Sequence, residues 1–330
     1  MQTYQLDVQV TRGDCIESVH RVHGAVALPT GALVGCAREA GLVTSWRSCA
    51  KPFQVMPFVE SGGLAELEWG DDELALACAS HGGEPEHVAL AVSMLLSIGM
   101  EEGDLACGPH EPLSRRGARI LYDVGTAATR LHNNCSGKHA AMLARAHLAG
   151  WPTQGYERDG HPVQEACFQR VAEWTELKSN EIGRDVDGCG VAAFSLPLGN
   201  MAGAFARLGE AVKRGDDVPS RIVNAMRTRP FLVGGTERFD TVLMEETGGR
   251  LMSKIGAEGV HSAVDLEQGI GVAIKVEDGG MRAQFPALIR LLQLVGSLPE
   301  TLPIRLQNFA RTRIKNTRGE VVGEVRLASA

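Results

Sequence analysis

Strand-like alternation sits at the two ends of this chain, and the stretch between them reads as helix. Gln5 to Thr11 sets Leu6, Val8 and Val10 against polar neighbours, and Val22 to Leu28 is a second apolar-leaning strand, so a hairpin or meander opens the fold. Far downstream, Arg250 to Gly256 and Gly269 to Val276 read as paired strands, the second with Val272, Ile274 and Val276 on one face. Any sheet made from these segments must join distant parts of the chain. That requirement makes the fold class α+β: a sheet drawn from both ends and a helical block between them.

The block is expected to hold helices from Asp71 through Ala79, Glu84 to Ile98, Asn133 to Leu148, Pro162 to Glu173, Met201 to Lys213, Pro219 to Thr228 and Glu237 to Glu246. A further helix should run from Pro52 to Gly63, and another from Ala287 to Val295. No repeat or low-complexity linker marks a boundary, so residues 1–330 are expected to form a single domain with a helical middle at roughly 71–246.

Charge narrows the function. The net charge is −7, and no basic run exceeds the pair Arg115-Arg116, which argues against a nucleic-acid groove or a membrane-surface patch and favours a small-molecule partner. The opening residues lack a basic patch followed by an apolar core and a cleavage site, so the expected location is the cytoplasm. The eight cysteines show no C-x-x-C spacing, which argues against a disulfide framework and leaves buried thiols as the ordinary state.

Lysine is scarce: of 33 basic residues, most are arginine, yet lysines recur at chemically suggestive places. Ser48-Cys49-Ala50-Lys51 is an S-x-x-K tetrapeptide. On a helix that spacing puts hydroxyl and amine on one face, where the amine can take the serine proton. Enzymes that use this tetrapeptide add a hydroxyl from a helical lobe and a lysine from a strand. Here Ser80, in Ala79-Ser80-His81-Gly82-Gly83, and Lys254, on a late strand, follow in that order. Each has a plainer explanation too, Ser80 as a helix cap and Lys254 as an exposed strand residue.

A metal set is a second possibility. Cys135 lies on one helical face with either Lys138 or His139, and Cys189 in Asp187-Gly188-Cys189-Gly190 could approach from a loop. Chemistry alone favours His139 as the nitrogen ligand, because a lysine must lose its proton before it binds metal. Gly234-Gly235-Thr236-Glu237 precedes a helix and could contact substrate or simply cap it; it lacks P-loop spacing. His81, Glu84 and His87 also invite a metal reading, but a glycine-rich loop entering a helix explains them more cheaply.

Taken together, Ser48-Cys49-Ala50-Lys51-Pro52-Phe53-Gln54, Ala79-Ser80-His81-Gly82-Gly83, His132-Asn133-Asn134-Cys135-Ser136-Gly137-Lys138-His139, Asp187-Gly188-Cys189-Gly190 and Lys254-Ile255-Gly256-Ala257-Glu258-Gly259 resemble the asparaginase II family of rhizobial type. The resemblance runs from about Gln5 to the C-terminus. It implies a fold like that of serine β-lactamases and glutaminases, with an antiparallel sheet flanked by helices and a mainly helical lobe. It implies hydrolysis of L-asparagine to L-aspartate and ammonia by a homodimer. By the same resemblance Ser48 is the nucleophile beside Lys51, Ser80 and Lys254 form a second pair, and Cys135, Lys138 and Cys189 hold Zn2+. Asp187, close to the metal, joins Thr236 and Glu237 as an expected substrate contact. The S-D-N and K-T-G triplets of β-lactamases are absent, Ser80-His81-Gly82 and Lys254-Ile255-Gly256 standing in their places, so lactam turnover is not expected. A glutaminase, a zinc-hydroxide amidohydrolase and a zinc or thiol sensor are the competing readings.

Overall fold

The computed structural model describes residues 1–328. The chain forms two compact units: the first comprises residues 1–49, 195–213 and Glu246 onward, the second residues 50–194 and 214–245.

The strands are β1 (Gln2–Thr3), β2 (Val8–Arg12), β3 (Cys15–His20), β4 (Val22–Ala27), β5 (Leu33–Ala37), β6 (Val43–Ser45), β7 (Gly183–Val186), β8 (Ala192–Pro197), β9 (Leu251–Ile255), β10 (Val260–Asp265), β11 (Ile270–Val276), β12 (Thr312–Lys315) and β13 (Val321–Leu327). In the first unit a six-stranded sheet has the order β1-β5-β4-β11-β10-β9, antiparallel except for the β1-β5 pair. A second sheet runs β12-β13-β2-β3. The two ends of the chain therefore meet twice, with Val22 opposite Val276 and Val10 opposite Val325.

Both faces of the larger sheet are covered by helices. Val272, Ile274 and Val276 project to one side and are fully buried, each gaining about 1.5–3 kcal/mol from leaving water. Gly24, opposite Ile274, shares that face, and a side chain there would meet Leu291 of the helix Met281–Leu294. On the opposite face the helix Leu198–Arg214 comes so close that a Cβ on Gly271 would lie 2.0 Å from the carbonyl oxygen of Ala202. Only glycine fits there.

The sequence pattern pairs β9 with β11, but the structure inserts β10 between them. This strand, VHSAVD, is buried at every position, so no alternation shows. Asp265 and Ser262 are paired instead. Asp265 meets Arg250 and the amides of Glu267 and Gln268, and Ser262 accepts the indole N–H of Trp46 at 3.2 Å.

The second unit is mainly helical. Its helices Asp71–Ala77, Pro85–Leu96, Ser136–Leu148, Pro162–Thr175, Asp217–Thr228 and Phe239–Glu246 lie within a few residues of the expected segments. The expected helix from Pro52 to Gly63 is instead three short ones, Lys51–Gln54, Met56–Glu60 and Gly63–Glu66. Pro52 and Pro57 each lack an N–H and stand in the first turn of a helix, where that loss is free, so each restarts the helix. A helix that the sequence pattern misses, Arg115–Val124, is capped by Ser114, whose hydroxyl accepts the Gly117 amide at 2.9 Å, and ends at Gly125. Among the described residues no helix is long and apolar enough to cross a membrane.

Candidate active site

Ser48 lies in a 3-10 turn, Arg47–Ala50, that leads without interruption into the helix beginning at Lys51. Lys51 is fully buried. Its Nζ donates to the carbonyl of Ala79, and lies 3.2 Å from Ser80 Oγ and 3.4 Å from the Asn134 carbonyl. Within the second unit the amine of the tetrapeptide and the expected second hydroxyl thus stand in contact. Ser80 is held by its own backbone, which donates to the Val233 carbonyl at 3.1 Å. It does not cap the following helix, which starts at Pro85.

In the first unit Lys254 is fully buried in β9, not exposed, and its amine donates to the Ile255 carbonyl at 2.9 Å. Cys49, next to Ser48, sends its thiol to the Lys254 carbonyl at 3.0 Å. Cys49 is one of the cysteines expected simply as buried thiols, and it is buried. Nothing in its spacing marks the contact.

Cys135, Lys138 and Cys189 come together in the second unit. Cys135 immediately precedes the helix Ser136–Leu148, and its amide is tied to Asn133 Oδ1 at 2.9 Å. That helix packs against Asp71–Ala77 at Gly137, where a Cβ would lie 2.4 Å from the Leu76 carbonyl oxygen. Lys138 is thereby fixed in the interior, 3.2 Å from Cys189 Sγ. Cys189 stands on a tight turn closed by Gly190 N to Asp187 O at 2.8 Å, with Asp187 Oδ2 3.8 Å from its sulfur.

The charges of this cluster are coupled. A hydrogen bond from Cys135, aided by the Lys138 charge against the cost of burial, brings the Cys189 thiol down to about 5. That same bond, together with burial, pushes Cys135 up to about 12. Burial works against the Lys138 ammonium, but the sulfurs of Cys189 and Cys135 and the Asp187 carboxylate outweigh it and raise its pKa. Cys189 is thus bonded from two sides, by the Cys135 thiol and by Lys138 Nζ at 3.2 Å.

Two soft sulfur donors and a nitrogen suit Zn2+. Among the described residues no group of three His, Cys, Asp or Glu could hold a metal, so a metal here depends on the lysine as third donor. The residues fit, since a cation bound by the two sulfurs could take the place of the proton that Lys138 Nζ now directs at Cys189 Sγ. His139 faces elsewhere: its Nδ1 is 2.5 Å from the Tyr156 hydroxyl, and burial drives it down to about 3.

Thr236 and Glu237 are both exposed, and Glu237 has a left-handed φ of 57°. The hydroxyl and amide of Thr236 both donate to Glu84, each at 2.7 Å. Glu84 itself is fully buried and also receives Arg116 Nη1 at 2.5 Å. His81 and His87 serve this region as neutral spacers. His81 Nδ1 accepts from Gly83 N and its Nε2 donates to Ser136 Oγ at 2.9 Å; His87 accepts from Glu84 N and donates to the Phe231 carbonyl. Burial first, then His87 and Lys51, push His81 well below the ordinary imidazole value. Sequence reasoning passed over Glu84 as part of a loop, and the carboxylate's partners, Ser114, Arg116 and Thr236, are too far apart in sequence to signal it.

The family model for L-asparaginase II matches residues 8–327. No curated protein matches the chain. Among solved structures, a β-lactamase from Mycobacterium bovis is similar at 10% identity over 82% of this chain and 94% of that one, with a TM-score of 0.32. A mutant simvastatin synthase from Aspergillus terreus is similar at 11% identity over 83% and 91%, with a TM-score of 0.36. No chemistry is carried over from either.

Proposed function

The chain belongs to the L-asparaginase II family, whose members are amidohydrolases, and we propose that it converts L-asparagine to L-aspartate and ammonia through a serine nucleophile activated by lysine. The observation that carries this mechanism is the buried Lys51 amine, 3.2 Å from Ser80 Oγ and three residues after Ser48.

In this reading unprotonated Lys51 takes the proton from Ser48 Oγ, which attacks the side-chain amide carbon of asparagine. Backbone N–H groups stabilise the oxyanion. As the tetrahedral centre collapses, Lys51 returns the proton through the Ser80 hydroxyl to the leaving nitrogen, the C–N bond breaks and ammonia departs, leaving an aspartyl ester on Ser48. Water attacks that ester, giving up a proton along the same path, and aspartate leaves as Ser48 is restored. Lys254 is assigned to Ser80 as its second lysine by family resemblance.

Cys135, Lys138 and Cys189 are proposed to hold zinc, which when bound would polarise an oxygen or anchor the charged end of the substrate. Asp187 stands where it can orient a substrate group beside that site. A homodimer and a cytoplasmic location complete the proposal.

The test is intact mass spectrometry with asparagine or a slow ester analogue. The wild type should gain an aspartyl adduct that Ser48→Ala lacks. Full activity in Ser48→Ala, or its loss on metal removal alone, would instead favour a metal-bound hydroxide. Comparing kcat/KM for asparagine and glutamine in the same preparation decides between the two amides, since one methylene discriminates by only about 10- to 200-fold.

A further inference from the structure

A threonine hydroxyl has one proton and two lone pairs, so a partner that can only accept fixes which of these remains available. Thr236 Oγ1 donates its proton to Glu84 Oε2 at 2.7 Å, and the Thr236 amide donates to Oε1 at 2.7 Å. The carboxylate is fully buried and is held by donors from two other directions, Arg116 Nη1 at 2.5 Å and the Ser114 hydroxyl. It has no proton to offer in return. Burial opposes its charge, yet the hydrogen bonds from Thr236, Arg116 and Ser114 prevail and keep its pKa below the ordinary value.

The backbone is shaped for this contact. Gly235 has φ of +107°, which side chains rarely adopt, and a Cβ there would lie 2.7 Å from Glu84 Oε1 and 3.2 Å from the Gly82 backbone. Residues 82 and 235 therefore lie side by side. Two residues before each, Ser80 N donates to the Val233 carbonyl at 3.1 Å, and Ser80 Oγ meets Lys51. The loop bearing Thr236 is thus registered against the segment bearing Ser80. Glu237 follows on the same exposed loop.

We propose that Thr236 and Glu237 recognise the α-ammonium group of the amino-acid substrate, and that Glu84 is a positioning residue that leaves Thr236 only lone pairs to present. Such a surface accepts hydrogen bonds and carries negative charge; it suits a cation and repels a carboxylate. This rests on the amidohydrolase reading above and adds to it the group by which an amino acid is told from a simple amide.

The experiment uses three amides: L-asparagine, succinamate, which lacks the amine, and 3-aminopropanamide, which lacks the carboxylate. Binding to the unreactive Ser48→Ala protein is measured by calorimetry, and turnover of the same three by ammonia release from proteins with Ser48 intact. Thr236→Val should raise KM and Kd for the two amines by about 10- to 100-fold, as loss of a hydrogen bond to a charged group does, and leave succinamate and kcat nearly unchanged. Thr236→Ser should restore the wild-type preference. Glu84→Gln should also reduce the preference, with no further reduction when added to Thr236→Val.

Equal weakening of all three ligands, or no change, overturns the proposal. So does a Glu84→Gln effect that simply adds to that of Thr236→Val. Failure of the amidohydrolase reading looks different: the wild type releases no ammonia while the amine preference and its loss in Thr236→Val persist. Absence of any asparagine binding overturns both.

Discussion

The Cys49 thiol donates to the backbone carbonyl of Lys254 at 3.0 Å. The residue beside the proposed nucleophile is thereby fastened to the residue that carries a proposed second amine. Its sulfur also limits what can stand on the turn after β9, since a Cβ on Gly256 would lie 3.1 Å from it and 2.3 Å from Val260 Cγ1. Cys49→Ala should cost about 1–2 kcal/mol by removing a hydrogen bond and a buried sulfur. Gly256→Ala should cost about 1–3 kcal/mol by overpacking. Urea midpoints measure both, and unchanged midpoints would mean that the contact carries no weight.

Lys51 separates activity from stability. A buried amine is costly to desolvate, and an apolar chain of similar length often replaces one with little loss. Lys51→Met should therefore remain folded with a midpoint close to that of the wild type, while ammonia release falls by about 10^2- to 10^4-fold, the usual worth of a general base. A variant that keeps its activity would remove Lys51 from the mechanism.

The sulfur cluster makes a prediction about composition. Because Lys138 is the only nitrogen donating to Cys189, at 3.2 Å among the described contacts, Lys138→Met should purify with only traces of zinc. His139→Gln should retain the metal, since that ring is turned to Tyr156. Elemental analysis of dialysed protein decides; a full equivalent of zinc in Lys138→Met would mean that the ligand set is wrong.

Glu84 gives a pH dependence with a definite sign. Its pKa is lowered in the folded protein from 4.5, so folding binds the ionised form more tightly. The stabilisation is complete above that value and fades as pH falls through it toward the folded one. Wild type should lose stability faster than Glu84→Gln as pH drops below about 4.5. Parallel curves of unfolding midpoint against pH for the two proteins would show that the carboxylate is not held as described.

How much of this could be read from the residues follows from where the signals lie. Strands β2, β4 and β11 announce themselves by alternation, and most helices by apolar period and caps. Strand β10 does not, because a strand buried on both faces and lined with His261, Ser262 and Asp265 has no polar side to alternate with. The tetrapeptide at Ser48 and the cysteines at 135 and 189 stand out in the sequence because few residue types suit such chemistry, and the structure brings the two cysteines together beside Lys138. Glu84 was not. A buried carboxylate is defined by the donors that surround it, and Ser114, Arg116 and Thr236 reach it only after the chain has folded. The contact of Cys49 with Lys254 is hidden for the same reason.

The pairing of β4 with β11 and of β2 with β13 also has a consequence for biogenesis. A ribosome releases β2 and β4 with their near partners β3 and β5 long before their distant partners exist, and the chain of the second unit emerges in between. One edge of β2 and one edge of β4 must wait unpaired until β13 and β11 appear. Helices of the second unit, built on nearer contacts, are free to condense first. Slow closure of the sheet and a risk of edge-to-edge association during synthesis are inherent in this chain order.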